Sequence, residues 1–196
     1  MKMKEIDFKL IIKIIIVMSL ITPIFFGFSI EYLFPWRINI INITLIISGT
    51  FILYIVSYLT VRYQINQKIF DIMKDHDVVN AFLESEYLVL FTKFLVTIIM
   101  EELIFRFYII GMLIHLIDPI YVILISSSIF SLYHLHIWFS HHNKAIALLY
   151  IIYSFLLGLL NAYVFLNLGI FFAILIHYIL ALIFYFEIAN KFKNIE

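Results

Sequence analysis

The chain has 196 residues, of which 65% are hydrophobic and only 13% are charged, and its formal net charge is zero. Soluble globular domains are about 45–50% apolar and about 25% charged, so this composition predicts an integral membrane protein. The zero net charge gives no reason to expect a nucleic-acid partner. The lack of cysteine excludes disulfides, thiolate nucleophiles and cysteine-based metal sites.

Two apolar runs open the chain, and each is as long as the roughly 20 residues that a membrane-spanning helix needs. Residues 10–30 form the first predicted span, which is retained because no convincing small-residue cleavage site follows it. Residues 38–61 form the second span. Residues 62–86 are polar with helix-like spacing of their apolar side chains, which predicts an amphipathic connector on the cytoplasmic membrane surface.

The second half of the chain holds four more predicted spans. Residues 87–117 and 119–139 form the third and fourth, with Pro119 well placed to start the latter. The run 145–186 has no charged residue and is long enough for two passes, with the turn between them in the sequence "LNLG". We therefore expect an all-α polytopic membrane protein, a single transmembrane domain over residues 1–196, with about six helices bundled around a buried polar site.

The distribution of basic residues predicts the orientation. If the N-terminus is inside, the outer loops carry only Arg37. This asymmetry favours two cytoplasmic termini and, we expect, the plasma membrane. The basic residues at the predicted cytoplasmic ends are Lys2, Lys4, Lys9, Lys13, Arg62, Lys68, Lys74, Lys144, Lys191 and Lys193.

Three ionisable side chains interrupt the third predicted span, in the sequence "EELIFR" at 101–106. A charge near the bilayer centre costs at least about 2.5–3.5 kcal/mol on insertion scales, so this cluster indicates a function. Glu102 and Arg106 are spaced i,i+4 and can pair on one helix face. Adjacent residues are turned about 100° apart, so the other glutamate, Glu101, can face an inner cavity. Spacing alone does not decide which glutamate takes which role.

Two histidines lie inside other predicted spans, His134 in the fourth and His177 in the sixth. A glutamate and a histidine can together take a proton from water. A second histidine can donate a hydrogen bond to the oxyanion of an attacked carbonyl. The residues therefore suit a hydrolase. Helix packing alone, a metal site of Glu101, His134 and His177, and a transporter's proton pathway stay open, although no inverted repeat supports the transporter.

Other polar and small residues have simpler expected roles. Ser127 and Ser131 share a face of the fourth span, and Gly158 and Ala162 form a small-xxx-small pair on the fifth; both patterns favour close helix approach. The remaining histidines and one aspartate are expected at the interfaces or in the connector. These are His76, His115, Asp118, His136, His141 and His142.

Three short motifs resemble those of the CPBP family, the CAAX proteases and bacteriocin-processing enzymes, which is also called the Abi family. They are E-E-x-x-x-R at 101–106, F-x-x-x-H at 130–134, and a final-helix histidine, His177, after "GLLNAYVFLNLGIFFAILIH". Their order on successive membrane segments matches the family. The resemblance covers residues 87–188, which we therefore expect to be the catalytic core.

The resemblance implies an intramembrane, glutamate-dependent endopeptidase with no cofactor and no obligatory catalytic zinc. Glu101 and His134 would activate water, Glu102 and Arg106 would position and support them, and His177 would contribute to the oxyanion hole. The partners would be membrane lipids and a peptide or lipidated protein substrate, such as a prenylated CAAX tail. Microbial members are linked to peptide maturation and to bacteriocin immunity.

One position departs from the family pattern. Members often carry H-x-x-x-N on the last helix, whereas the fourth residue after His177 is Ala181. Asn161 on the fifth span could take the place of that asparagine if it faces the cavity. The missing donor favours an alternative, a non-catalytic immunity or regulatory membrane protein on the same scaffold.

Overall fold

The computed structural model describes residues 8–35 and 37–193, and the side chains of all of these except Ser140 and His141. Outside the described part of the chain lie Lys2 and Lys4, which contribute to the predicted orientation, and the side chain of His141. Every regular element of the described residues is helical. The helices are α1 (Phe8–Phe25), α2 (Ile40–Gln64), α3 (Gln67–Met73), α4 (Asp77–Leu83), α5 (residues 87–113), α6 (Pro119–Tyr133), α7 (His136–His141), α8 (Lys144–Leu168) and α9 (Ile170–Lys193), with a short 3₁₀ turn at Ile30–Tyr32.

Five segments of the described chain are long and apolar enough to cross a membrane. They are α1, α2, the α6–α7 segment, α8 and α9. The third predicted span, α5, is not among them: it alternates between α-helical and π-helical stretches and carries the charges of "EELIFR". The all-α polytopic membrane fold is confirmed, and the count of six spans stays a prediction.

The predicted helix starts and turns follow from local chemistry. Pro119 occupies the first turn of α6, and the side chain of Asp118 accepts a hydrogen bond from the backbone N–H of Ile120 at 2.9 Å. The predicted fourth span is broken after Tyr133, so His134 lies at the C-terminal cap of α6 instead of inside a helix. This break brings His134 to the site described below.

The polar segment 62–86 folds mainly into α3 and α4, after the last turn of α2. Each short helix has a side-chain N-cap, from Asn66 and His76 respectively. Their apolar side chains are buried against the bundle, and the ring of Phe70 stacks on Phe192 of α9 with centroids 4.0 Å apart. Its place at the cytoplasmic membrane surface stays a prediction.

The predicted small residues lie where two helices approach closely. Helix α8 packs along α6, and a Cβ built on Gly158 would be 3.0 Å from the Cβ of Ser127. Ser131 donates to the carbonyl of Ile151 across the same contact, at 2.7 Å. The close approach holds α6 and α8 at a distance that larger residues would not allow.

The predicted turn between the last two spans forms at Gly169. Its φ is +92°, and a Cβ there would overlap the carbonyl oxygen of Leu33. Gly27 has nearly the same conformation, with φ +90°, but a Cβ there would meet no atom within 4 Å. A comparison of alanine substitutions at the two glycines therefore distinguishes the cost of backbone strain from the cost of steric overlap.

We expect Gly169→Ala to lower the free energy of unfolding by roughly 1–3 kcal/mol more than Gly27→Ala. Both variants place an alanine at positive φ, but only the first also displaces the Leu33 segment. The measurement is denaturant unfolding in detergent micelles. Equal losses in the two variants would contradict the steric contribution.

Candidate active site

A cavity of about 480 Å³ lies between α1, α5, α6, α8 and α9, with the turn before α4 at one side. Glu101, His134 and His177 line it together. Glu102 and Arg106 lie behind the wall and are fully buried. The structure thus brings the predicted residues of three helices to one place and separates the two adjacent glutamates.

Glu102 is the centre of the buried polar contacts. The Nδ1–H of His177 donates to its Oε1 at 2.7 Å, and the side-chain amide of Asn161 donates to the same oxygen at 3.1 Å. The other oxygen, Oε2, lies 3.4 Å from the Nε of Arg106. The ion pair predicted from the i,i+4 spacing is confirmed. Glu102 is therefore the ion-paired carboxylate of the two, and it is surrounded by groups that stabilise its negative charge.

Glu101 is the carboxylate that faces the cavity. Its Oε2 lies 3.9 Å from the Nε2 of His177. His177 consequently stands between the two glutamates, with one ring nitrogen towards each. Since Nδ1–H is donated to Glu102, the Nε2 of the neutral ring carries a lone pair towards Glu101.

His134 is oriented by the end of its own helix. Its Nδ1 lies 2.9 Å from the carbonyl oxygen of Phe130, and because a carbonyl only accepts, Nδ1 carries the proton. The Nε2 of the neutral ring is therefore an acceptor. With the ring in the cavity wall, this nitrogen is suited to take a proton from water.

Phe130 contacts three of the predicted site residues, although our sequence reasoning assigned it no role of its own. The guanidinium carbon of Arg106 lies 4.4 Å from the centre of its ring. Its ring also meets both imidazoles nearly edge-on, with centroids 4.9 Å from His134 and 5.6 Å from His177. The signal that could have identified it is the phenylalanine of F-x-x-x-H. One aromatic ring thus holds the arginine and both histidines in place.

A π-helical stretch, Leu103–Tyr108, begins directly after Glu102 and contains Arg106. Such wide turns often occur at functional sites. Ser126 of α6 donates to the carbonyl of Phe105 within this stretch, at 2.6 Å. This bond connects α6 directly to the backbone of the π-helical stretch.

Asn161 does not take the place of the missing final-helix asparagine. It is fully buried, hydrogen-bonds to Glu102 and is not among the residues that line the cavity. The condition that it faces the cavity is therefore not met. Ala181 does line the cavity, so the departure from the family pattern lies at the site itself.

Two histidines outside the predicted site also reach the cavity. His76 and His136 line it, and the ring of His76 stacks on Tyr185 of α9 with centroids 4.7 Å apart. His136 is expected at the membrane interface, and the structure shows that it also lines the cavity. Among the described residues, no group of three or more histidine, aspartate or glutamate side chains is arranged to hold a metal ion. The proposed ligand set of Glu101, His134 and His177 gains no support.

The family model of type II CAAX prenyl endopeptidase Rce1-like proteins matches residues 83–183, which is more than half of the chain. The chain belongs to this family. Rce1-like membership confirms the CAAX-protease resemblance and, at the level of the family, makes the chain a membrane protease. No curated protein and no solved structure matches the chain.

In this Rce1-like chain the two adjacent glutamates should differ sharply in their effect on stability. Glu102→Gln leaves the buried Arg106 without its counter-charge, which we expect to lower the free energy of unfolding by about 3–5 kcal/mol. Glu101→Gln removes no ion pair with Arg106 and should change it by less than about 1 kcal/mol. The free energy of unfolding of each variant is measured by denaturant unfolding in detergent. Similar losses in both variants would contradict the division of roles.

Proposed function

We propose that this Rce1-like chain is an intramembrane endopeptidase that hydrolyses a peptide bond of a peptide or prenylated CAAX-type protein. Glu101 and His134 activate the attacking water. The observation that supports this proposal is the convergence of Glu101, His134 and His177, from α5, the end of α6 and α9, on one cavity. Each of these side chains presents a chemically suitable atom, as described above.

The reaction begins with a water molecule between Glu101 and the Nε2 of His134. The water gives up a proton to Glu101, assisted by its hydrogen bond to His134, as its oxygen attacks the scissile carbonyl carbon. The C–N bond of the tetrahedral intermediate then breaks, and the proton passes to the leaving amine. The products are one carboxylate and one amine, so the balance needs no group beyond water.

His177 stabilises the oxyanion of that intermediate. Its Nδ1–H is already donated to Glu102, so it acts on the oxyanion only when Nε2 is protonated as well. The carboxylate of Glu102, 2.7 Å from Nδ1, stabilises this imidazolium throughout, and Glu101 adds to the effect until it takes the proton from water. The Nε2–H can then donate to the oxyanion, in an apolar site where such a bond is strong. Arg106 and Phe130 support this arrangement by fixing Glu102 and the two rings.

The cavity opens towards the cytoplasm in this proposal, in the plasma membrane and with both termini inside. This direction is supported by Lys9 and Lys13, which the positive-inside pattern predicts on the cytoplasmic side and which both line the cavity. The cavity is also lined by three residues of the polar connector, Asp75, His76 and Asp77. A soluble tail of a substrate would enter from this side.

Replacing the base should abolish proteolysis without unfolding the protein. We expect Glu101→Gln to reduce cleavage by roughly 10²–10⁴-fold, because the carboxylate no longer takes the proton from water. The measurement is a comparative peptidome of membranes and medium from cells that express either form. Glu84→Gln, an exposed glutamate outside the cavity, is the matched control and should retain all products.

The alternative is a non-catalytic immunity or regulatory protein on the same scaffold, and the missing donor at Ala181 is the observation that favours it. Identical peptidomes for wild type, Glu101→Gln and His134→Ala would contradict proteolysis. Protection against a peptide toxin that persists in both variants would then support immunity by binding.

Supplying the missing donor should increase the rate. Ala181 lies four residues after His177 on the same face of α9 and lines the cavity. We expect Ala181→Asn to raise the cleavage rate by roughly tenfold, less than the 10²–10³-fold that an established oxyanion donor contributes. The matched control is Ala181→Leu, which fills a similar volume without a donor. An equal rate in wild type and Ala181→Asn would contradict an oxyanion site beside this position.

A further inference from the structure

Helix α1 forms part of the cavity wall, although it lies outside the segment that matches the family. Lys9 and Lys13 both line the cavity, and their i,i+4 spacing places them on one face of α1. The positive-inside pattern explains why lysines occur near this end of the chain, but it does not explain why their side chains are directed to the site.

Lys13 lies deeper than Lys9 and close to the proposed base. Its Nζ donates to the hydroxyl of Thr97 at 2.7 Å, and Thr97 lies one helical turn before Glu101 on α5. Thr97 in turn donates to the backbone carbonyl of Lys93, at 2.7 Å, which fixes its hydroxyl. An ammonium group is thus held at a defined position on the wall that carries the base.

The ammonium has capacity for a further, negatively charged partner. Among the described residues its one hydrogen-bond partner is the neutral hydroxyl of Thr97, which leaves two of its three N–H donors. Among the described residues the direct ion pair of Glu101 is with His177, and Lys13 attracts Glu101 only from a longer distance. A half-buried ammonium in an apolar span is costly unless it meets an anion.

We propose that Lys13 binds the free C-terminal carboxylate of the substrate and thereby determines where the chain is cut. This inference rests on the proposed function, because it assigns a specificity residue to the same cavity. A carboxylate is the anion that every unmodified peptide tail carries. The pairing would occur away from bulk water, where a charge-assisted hydrogen bond is strong.

The spacing along α5 sets the expected cleavage position. Thr97 and Glu101 are four residues apart in an α-helical stretch, which corresponds to roughly 6 Å along the axis. An extended peptide advances roughly 3.3–3.6 Å per residue. A carboxylate at Lys13 therefore places the scissile bond near Glu101 when about two residues lie beyond it. Lys13 would thus fix the number of residues between the cleavage site and the C-terminus of the substrate.

The test compares a free acid with its carboxamide. The probe is a farnesylated peptide ending in Cys-Val-Ile-Met, made in both forms, or a substrate from the peptidome comparison in both forms if cleavage there falls near a C-terminus. The kcat/KM of each form is measured with purified wild type, Lys13→Gln and Lys13→Arg. Lys68→Gln, which removes an exposed lysine of α3 outside the cavity, is the control for a general loss of charge.

We expect wild type to prefer the acid by roughly 10- to 100-fold, as for a hydrogen bond to a charged group. Lys13→Gln should remove this preference by lowering kcat/KM for the acid alone. Lys13→Arg and Lys68→Gln should retain the preference. A preference that persists in Lys13→Gln would overturn the proposal and would be the outcome if Lys13 bound lipid phosphate instead.

Two further outcomes separate this inference from the proposed function. Equal rates for acid and amide in wild type, or Glu101-dependent cleavage far from any C-terminus, would overturn the role of Lys13 and leave proteolysis intact. If neither the probe nor the peptidome showed any Glu101-dependent product, the proposed function would fail and this inference with it.

Discussion

The fully buried ion pair between Glu102 and Arg106 is the interaction on which the rest of the site depends. A charge inside an apolar bundle is tolerated only with a partner, and the partners of this pair come from several helices. His177 of α9 and Asn161 of α8 donate to Glu102, while Phe130 of α6 covers the guanidinium. Satisfying one buried ion pair thus brings four helices together at the base of the cavity.

This constraint explains why two adjacent glutamates have different roles. Neighbouring residues of a helix are rotated by about 100° about its axis, which directs Glu102 into the contacts between helices and Glu101 into the cavity. His177 connects them, since Glu102 orients its ring and leaves the other nitrogen towards Glu101. The costly pair positions the histidine, and the histidine in turn lies beside the proposed base. In our proposal, stability and catalysis are therefore assigned to separate carboxylates of one motif.

Much of this arrangement could be predicted from patterns that act locally along the chain. Hydropathy located the apolar helices, Pro119 and "LNLG" located a start and a turn, and i,i+4 spacing located the ion pair. What could not be predicted depends on contacts between segments distant in sequence. The bond of Asn161 to Glu102, the approach of Lys13 to Thr97 and the contact of His76 with Tyr185 leave no local pattern. The π-helical stretches were also missed, because no periodic signal distinguishes them over five or six residues.

The most direct test of water activation by Glu101 is a single-turnover cleavage in H₂¹⁸O, followed by mass spectrometry of both the product and the protein. If Glu101 acts as a base, every new product carboxylate carries one ¹⁸O atom and the protein carries none. A product without ¹⁸O after the first turnover, together with ¹⁸O in the protein fragment that contains Glu101, would contradict this mechanism. It would show that the carboxylate attacks the substrate itself.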